Sequence, residues 1–158
     1  NFLKAKQNII INGKTGCGKS FLAQALGNRA IFEGFTVYYI RTSTLLEEIK
    51  LSRIDGSYTN LVKRFARYKL LILDDFGVSP ISVDDATNLF EIIEVRSQLS
   101  STIITSQLPV KDWYGYLQNN TVADAILDRV VHSSHRVEIE GDSLRAKYSN
   151  LDKKFEDN

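Results

Sequence analysis

The sequence contains few of the residues that mark secreted or membrane proteins. Its 158 residues include one cysteine, two prolines and no methionine. One cysteine cannot form an internal disulfide, so we expect a reducing, cytoplasmic compartment. No apolar run approaches the ~20 residues that a bilayer-spanning helix needs. These absences exclude a disulfide scaffold and argue against a membrane partner.

An excess of charge of either sign is also lacking. The formal net charge is +1, with 43% hydrophobic and 25% charged residues, fractions typical of a globular domain. Any nucleic-acid contact must therefore come from a local basic patch. We expect one domain over residues 1–140 and a short polar tail over residues 141–158. Because the chain begins at Asn1 and lacks methionine, we also expect an N-terminal part that binds a partner or DNA to be missing.

The chain does have a glycine-rich segment between an apolar run and a helical pattern. Residues 13–20 fit G-x-x-x-x-G-K-[ST], with the apolar residues 9–11 before them. Strand, glycine-rich turn and helix form the phosphate loop, whose backbone N–H groups and helix start bind nucleotide phosphates. Lys19 would contact the β- and γ-phosphates, and the Ser20 hydroxyl would bind Mg²⁺; a chance glycine-rich turn is the alternative. The predicted nucleotide-binding residues are Gly13, Lys14, Thr15, Gly16, Cys17, Gly18, Lys19, Ser20 and Phe21.

Strand-like and helix-like segments alternate along the chain. Capping boxes at Thr44/Glu47 and Ser82/Asp85 predict two of the helix starts. The alternation predicts an α/β fold, a parallel sheet with helices on both faces. The predicted strands are residues 8–12, 36–40, 70–73, 102–105 and 137–139. Helices are predicted over residues 19–32, 45–53 and 121–132, and from residues 57 and 82 onward.

Two consecutive carboxylates, Asp74 and Asp75, follow the apolar strand 70–73. Ligands of an open parallel sheet bind beyond the carboxyl ends of its strands, so both carboxylates should face the crevice of the phosphate loop. Asp74 is then placed to hold Mg²⁺ and Asp75 to polarise an attacking water. Turn formation is the alternative for either residue alone. After the next strand, Gln107 or Ser106 is a candidate to orient that water or contact the γ-phosphate.

Together these motifs resemble the AAA+ domain of IstB-type transposition ATPases, relatives of DnaC-type helicase loaders and DnaA-type initiators. The resemblance covers the chain from about Asn8 to Tyr148. It implies a P-loop NTPase of AAA+ type with a five-stranded parallel sheet, which hydrolyses ATP with Mg²⁺. It also implies a helical lid that is reduced or absent, because little chain follows Ile139. The resemblance rests on residues 13–20, 70–77, 101–107, 127–132 and 141–145.

The resemblance also implies roles for single residues. Asp74 corresponds to the Walker B residue, Asp75 to the catalytic acidic position and Gln107 to the first sensor. Most AAA+ proteins have Glu at the position of Asp75, and relatives more often have Asn at the position of Gln107. Arg145 corresponds to a second sensor. Outside nucleotide-bound Mg²⁺ no metal site is expected.

Arg129 matches the arginine finger of the family. Phosphoryl transfer gains most from a cation at the γ-phosphate, yet no strand-end motif places Arg129 in the crevice of its own subunit. A neighbouring subunit would therefore supply it, which links hydrolysis to head-to-tail assembly into a ring or helix. From the residues alone, an ion pair with Asp128 or Asp124 is the alternative.

A basic cluster, Lys63, Arg64 and Arg67, lies on a predicted helix, and Lys50 and Arg53 lie on the helix before it. In initiator-type AAA+ proteins a similar region lines a DNA channel. The resemblance therefore implies that these five residues contact double-stranded DNA. A solvated helix face is the alternative.

The function that the resemblance implies is an ATP-hydrolysing, DNA-binding assembly protein that prepares target DNA and recruits a transposase. A replicative helicase loader is the nearest alternative, since its AAA+ domain would look much the same. A small-molecule kinase would need a lid with clustered arginines, and the sequence shows none. A nucleotide-gated DNA scaffold with little turnover is a further alternative.

Overall fold

A single five-stranded sheet forms the centre of the protein. The computed structural model describes residues 1–118 and 120–141. All strand pairs are parallel, in the order β2-β3-β4-β1-β5. The predicted parallel α/β sheet is confirmed, whereas Arg145 and the tail from residue 142 lie outside the described residues. The strands are β1 (Asn8–Gly13), β2 (Val37–Arg41), β3 (Leu70–Phe76), β4 (Ser101–Ser106) and β5 (Ser134–Ile139).

Helices cover both faces of the sheet. Because side chains alternate along a strand, Ile9 and Ile11 of β1 pack on the face of the first helix with Ala23, while Ile10 packs on the opposite face with Leu45. The first helix lies on one face and the other five pack on the second. The helices are α1 (Lys19–Phe32), α2 (Thr42–Asp55), α3 (Tyr58–Arg67), α4 (Val83–Arg96), α5 (Trp113–Tyr116) and α6 (Asn120–Val130).

The strand order brings the chemically distinct segments to one edge of the sheet. β4 lies between β1 and β3. The carboxyl ends of these three strands carry the phosphate loop, the polar end of β4 and the two consecutive carboxylates. Parallel strands end at the same edge, which is where such sheets bind ligands. The fold therefore brings together three motifs that are spread along the sequence from Gly13 to Gln107.

The two predicted capping boxes have different outcomes. At α4 the box is confirmed: the backbone N of Asp85 donates to Ser82 Oγ at 3.0 Å, and the backbone N of Ser82 donates to Asp85 Oδ2 at 3.1 Å. At α2 the prediction is wrong, because the helix begins at Thr42 and has no side-chain cap. Thr42 Oγ1 donates to the backbone O of Asp74 at 3.0 Å, a tertiary contact at the helix start that local pattern does not reveal.

One segment went unpredicted. A short 3₁₀ helix (Val110–Asp112) and α5 follow β4. Trp113 is fully buried there, and its Nε1 donates to the backbone O of Leu108 at 2.9 Å.

Among the described residues, no helix has the length and apolar character needed to cross a membrane.

Candidate functional site

Glycine is required at both ends of the phosphate loop. Gly18 precedes α1 with a φ of 100°, a left-handed conformation that favours glycine. Gly13 ends β1, and a Cβ there would lie 2.5 Å from Cys17 Sγ and 2.8 Å from the backbone O of Ile139. Cys17 is itself buried and fills the space beside Gly13. The loop is therefore tightly packed, and this packing depends on the absence of side chains.

Lys19 is the first residue of α1, and its side chain is largely buried, at 8% exposure. Its Nζ donates to the backbone O of Lys14 at 2.8 Å and lies 4.0 Å from Cys17 Sγ. No carboxylate of the described residues forms an ion pair with this ammonium group. Burying a charge without a counter-charge is costly. An anionic ligand in the loop would supply the missing negative charge.

The carboxylate of Asp74 is the most strongly coordinated group of the site. Ser20 Oγ donates to both of its oxygens, at 2.9 and 2.8 Å, while Thr105 donates to Oδ1 and Tyr39 to Oδ2. Burial acts to raise the pKa of Asp74, but the hydrogen bonds from Thr105, Tyr39 and Ser20 outweigh it, and the pKa lies below the ordinary aspartate value. Asp74 is therefore ionised and held in one orientation.

Asp75 differs from its neighbour in every respect. Its side chain is 43% exposed, and its φ is 56°. Its backbone N donates to Thr105 Oγ1 at 3.0 Å, and its carboxylate lies 3.8 Å from Arg41 Nε. The carboxylate is thus open to solvent at the rim of the cleft, as a group that contacts water must be.

The end of β4 distinguishes the two sensor candidates. Ser106 is buried; its Oγ donates to the backbone O of Phe76 and accepts from the backbone N of Leu108 at 3.0 Å. Gln107 is exposed, and its Oε1 accepts a hydrogen bond from Thr15 of the phosphate loop. Ser106 therefore bonds two backbone groups beside the cleft, while Gln107 contacts the phosphate loop.

These groups surround a cleft of about 530 Å³, within the range of small-molecule sites. Of the predicted loop residues, Gly13 and Lys14 line an adjacent cavity and Cys17 is buried. The others line the cleft itself, with Phe21 79% exposed on its wall. Sequence reasoning missed four lining residues, of which two are on β2, one is on α1 and one follows β3. These are Tyr39, Arg41, Gln24 and Val78.

Arg129 lies at the opposite end of the sheet. The side-chain amide of Asn8, the first residue of β1, donates to the backbone O of Arg129 at 3.4 Å. β1 then runs five residues to Gly13, roughly 17 Å at ~3.3 Å per residue. The guanidinium donates to both carboxylate oxygens of Glu94 and lies 4.0 Å from Asp128. Arg129 is therefore remote from the cleft of its own chain, and its role as a finger stays a prediction.

The predicted DNA-binding residues divide into two groups. Lys50, Arg53 and Arg64 form ion pairs, with Asp85 at 3.2 Å, Glu91 at 3.1 Å and Glu48 at 2.6 Å respectively. Lys63 and Arg67 are exposed on α3 and form no ion pair with any described residue.

The histidines take no part in the site. His132 lies 3.2 Å from Asp128, and His135 lies 2.8 Å from Gln7. Within residues 1–118 and 120–141, no cluster of His, Cys, Asp or Glu side chains is arranged to hold a metal ion.

Comparison with protein families gives a match along nearly the whole chain. Residues 1–152 match the family described as IstB-like ATP binding protein. The chain is 45% identical over 145 residues to y4pL of Sinorhizobium fredii, described as an insertion sequence ATP-binding protein, covering 92% of this chain and 59% of that one. The chain spans 58–59% of the length of this relative and of two other insertion sequence ATP-binding proteins.

Solved structures of the same fold include two replication proteins. The replication initiator DnaA bound to AMPPCP and single-stranded DNA aligns with a TM-score of 0.74 and 23% identity, over 89% of this chain and 44% of that one. The DnaC helicase loader aligns with a TM-score of 0.72 and 23% identity, over 88% and 84%. At these identities the likeness concerns the fold.

Proposed function

Because the chain belongs to the family of IstB-like ATP binding proteins, we propose that it binds Mg²⁺–ATP in the cleft and hydrolyses it. The observation that carries the proposal is the buried Lys19 ammonium, which has no ion pair among the described residues and lines the same cleft as the ionised carboxylate of Asp74. A cation and an anion held apart in this way suit a triphosphate with its counter-ion. Lys19 would neutralise phosphate charge, and Asp75 would accept a proton from the attacking water.

The residues present fit a magnesium ion. Ser20 and Asp74 offer a hydroxyl and a carboxylate within 2.9 Å of each other, and such oxygen groups are the ligands that Mg²⁺ prefers. One carboxylate suffices, because Mg²⁺ at phosphate sites takes its other ligands from water and the nucleotide. Bound there, the ion would neutralise charge that develops on the phosphates.

We further propose that ATP stabilises a head-to-tail oligomer on double-stranded DNA and that hydrolysis releases it. The position of Arg129 supports this: it cannot reach the cleft of its own chain, but the opposite end of the sheet is where a head-to-tail neighbour would dock. Exposed Lys63 and Arg67 on α3 supply a basic surface for DNA phosphates.

The insertion-sequence context of the relatives supports a transposase as partner, with the protein preparing target DNA. A helicase loader is the second candidate, because the fold is also that of DnaC. The part of the relatives that this chain does not span would carry the difference, since partner recognition usually lies outside a shared ATPase core. We therefore expect the transposase contact to lie in the part of the relatives that is outside the ATPase core.

Two substitutions test the site. Lys19→Ala should abolish or severely weaken ATP binding, because the triphosphate loses its main cationic partner. Asp75→Asn should keep Mg²⁺–ATP binding but lose turnover, because an amide is a poor base. Binding is measured with a fluorescent ATP analogue and turnover by phosphate release in the presence of DNA.

Glu47→Gln is the matched control, since it removes one exposed carboxylate on α2 outside the nucleotide cleft. Normal hydrolysis by Asp75→Asn would remove Asp75 from the mechanism.

Electron microscopy with DNA, with and without a non-hydrolysable ATP analogue, tests assembly. We expect oligomers on DNA with the analogue, whereas a small-molecule kinase would stay monomeric in both samples.

A further inference from the structure

We propose that Tyr39 is a positioning residue for the metal-binding carboxylate of Asp74 and thereby sets the affinity of the site for Mg²⁺. This inference rests on the proposed binding of Mg²⁺–ATP. Tyr39 lies on β2, the edge strand of the sheet, 35 residues before Asp74. Neither its spacing nor its residue type marks it in the sequence.

The phenol lies where three elements meet. Tyr39 of β2 donates to Asp74 Oδ2 on β3, and Gln24 of α1 lines the same cleft. An ionised carboxylate has acceptors only, so the phenol is the donor in this hydrogen bond.

Tyr39 and Thr105 hold the carboxylate from both sides. Thr105 donates to Oδ1 and Tyr39 to Oδ2, so each oxygen has one fixed donor besides Ser20. A carboxylate can accept in about four lone-pair directions. Tyr39 and Thr105 each occupy one of them, and a metal ion would bind on the side of the carboxylate that faces Ser20. Loss of one anchor frees the carboxylate to rotate about its Cβ–Cγ bond. Partners that orient a metal ligand commonly contribute about 10–100-fold to metal affinity.

The neighbouring Tyr38 offers a matched control on the same strand. Its side chain points to the opposite face, where its ring lies 5.4 Å from that of Phe65 and 4.9 Å from that of Tyr68. It does not line the nucleotide cleft. Tyr38→Phe and Tyr39→Phe therefore make the same chemical change on adjacent residues, and only the second removes a donor from Asp74.

The experiment measures binding of a fluorescent ATP analogue to the wild-type protein, Tyr39→Phe and Tyr38→Phe, first in EDTA and then across a MgCl₂ titration. We expect Tyr39→Phe to raise the half-saturating Mg²⁺ concentration roughly tenfold or more. Its nucleotide affinity in EDTA should equal that of the wild type, as should its thermal melting profile. Tyr38→Phe should match the wild type in its Mg²⁺ dependence. A parallel Mn²⁺ titration followed by electron paramagnetic resonance reports metal binding directly.

An unchanged half-saturating Mg²⁺ concentration in Tyr39→Phe would overturn the inference. A lower one would also overturn it, because it would show that the phenol competes with the metal for Asp74. If Tyr39→Phe lost as much nucleotide affinity in EDTA as in MgCl₂, the inference would also be overturned, since the loss would then not depend on the metal. If the wild-type protein bound the nucleotide with no Mg²⁺ dependence, the proposed function itself would fail. The failure of Tyr39 and the failure of the site are thus separate outcomes.

Discussion

Replacing Arg96 with methionine should reveal how strongly one buried cation holds helix α3 to the sheet. Arg96 lies in the last turn of α4 and is 2% exposed. Its Nη1 donates to the backbone O of Phe65 and of Tyr68, both at 2.7 Å, where α3 ends. Its Nη2 donates to the backbone O of Ser101 at 2.6 Å, and its Nε donates to Thr102 Oγ1 at 3.3 Å. One guanidinium thus ties α3 and β4 to α4.

The magnitude follows from these contacts. Burial lowers the pKa of Arg96 from the ordinary arginine value to about 10, a penalty of about 3 kcal/mol at 1.36 kcal/mol per unit. Each hydrogen bond from a charged donor contributes about 1.5–3 kcal/mol, so the three short bonds to carbonyl oxygens outweigh that penalty. Methionine removes the charge together with the donors that bond the backbone O of Phe65, Tyr68 and Ser101. We expect the free energy of unfolding to fall by about 3–5 kcal/mol.

Urea denaturation and thermal melting measure this loss. At about 2–4 °C per kcal/mol for a chain of this size, Tm should fall by roughly 10 °C. Arg29→Met is the matched control, because Arg29 is 69% exposed and its side chain contacts Glu33 and Phe32 on the surface of α1. If Arg96→Met were as stable as Arg29→Met, the carbonyl contacts of Arg96 would contribute nothing, and the reasoning would be refuted.

Two further predictions concern DNA and assembly. Replacing Lys63 and Arg67 with alanine should lower the salt dependence of DNA binding by roughly one unit of log–log slope for each lost phosphate contact; an unchanged slope would place the DNA surface elsewhere. Arg129→Ala should bind ATP but hydrolyse it roughly 10³–10⁵ times more slowly. Mixed with Lys19→Ala on DNA, it should recover activity at about one quarter of the interfaces. A mixture that co-assembles yet stays inactive would contradict the finger in trans and favour the ion-pair role of Arg129.

Sequence predicted the elements whose ends are set by residues close together in the chain. The Ser82 capping box is confirmed, and the glycine-rich segment lies between a strand and a helix as its pattern predicts. The apolar runs likewise predicted a parallel sheet, because strands buried on both faces read as continuous hydrophobic segments. The resemblance to IstB-type proteins, which rested on these local motifs, is confirmed by the family match.

Contacts set by strand order could not be predicted in the same way. Tyr39 and Arg41 reach the two aspartates only because β2 pairs with β3, with Arg41 opposite Asp74. No local pattern encodes that pairing, and a tyrosine in an edge strand reads as an ordinary strand former. Arg96 shows the same limit. On its helix it looks like a solvated cation near a C-terminus, and only the packing of α3 against α4 reveals that its partners are backbone carbonyls.

At the tandem Asp74 and Asp75, a small irregularity of the sheet gives two adjacent identical residues different environments. In a regular strand, consecutive side chains point to opposite faces, and the second aspartate would be driven into the core. Between Leu73 and Phe76, however, β3 advances three residues while β4 advances two, from Ile104 to Ser106. This bulge places the extra residue, Asp75, at a φ of 56°, and bulges commonly re-aim a side chain beside an active site. One carboxylate is thereby buried among hydroxyl donors and suited to a metal ion, while the other is turned outward to meet water. A substitution that restored regular pairing here would keep both carboxylates in the sequence and lose the division of labour between them.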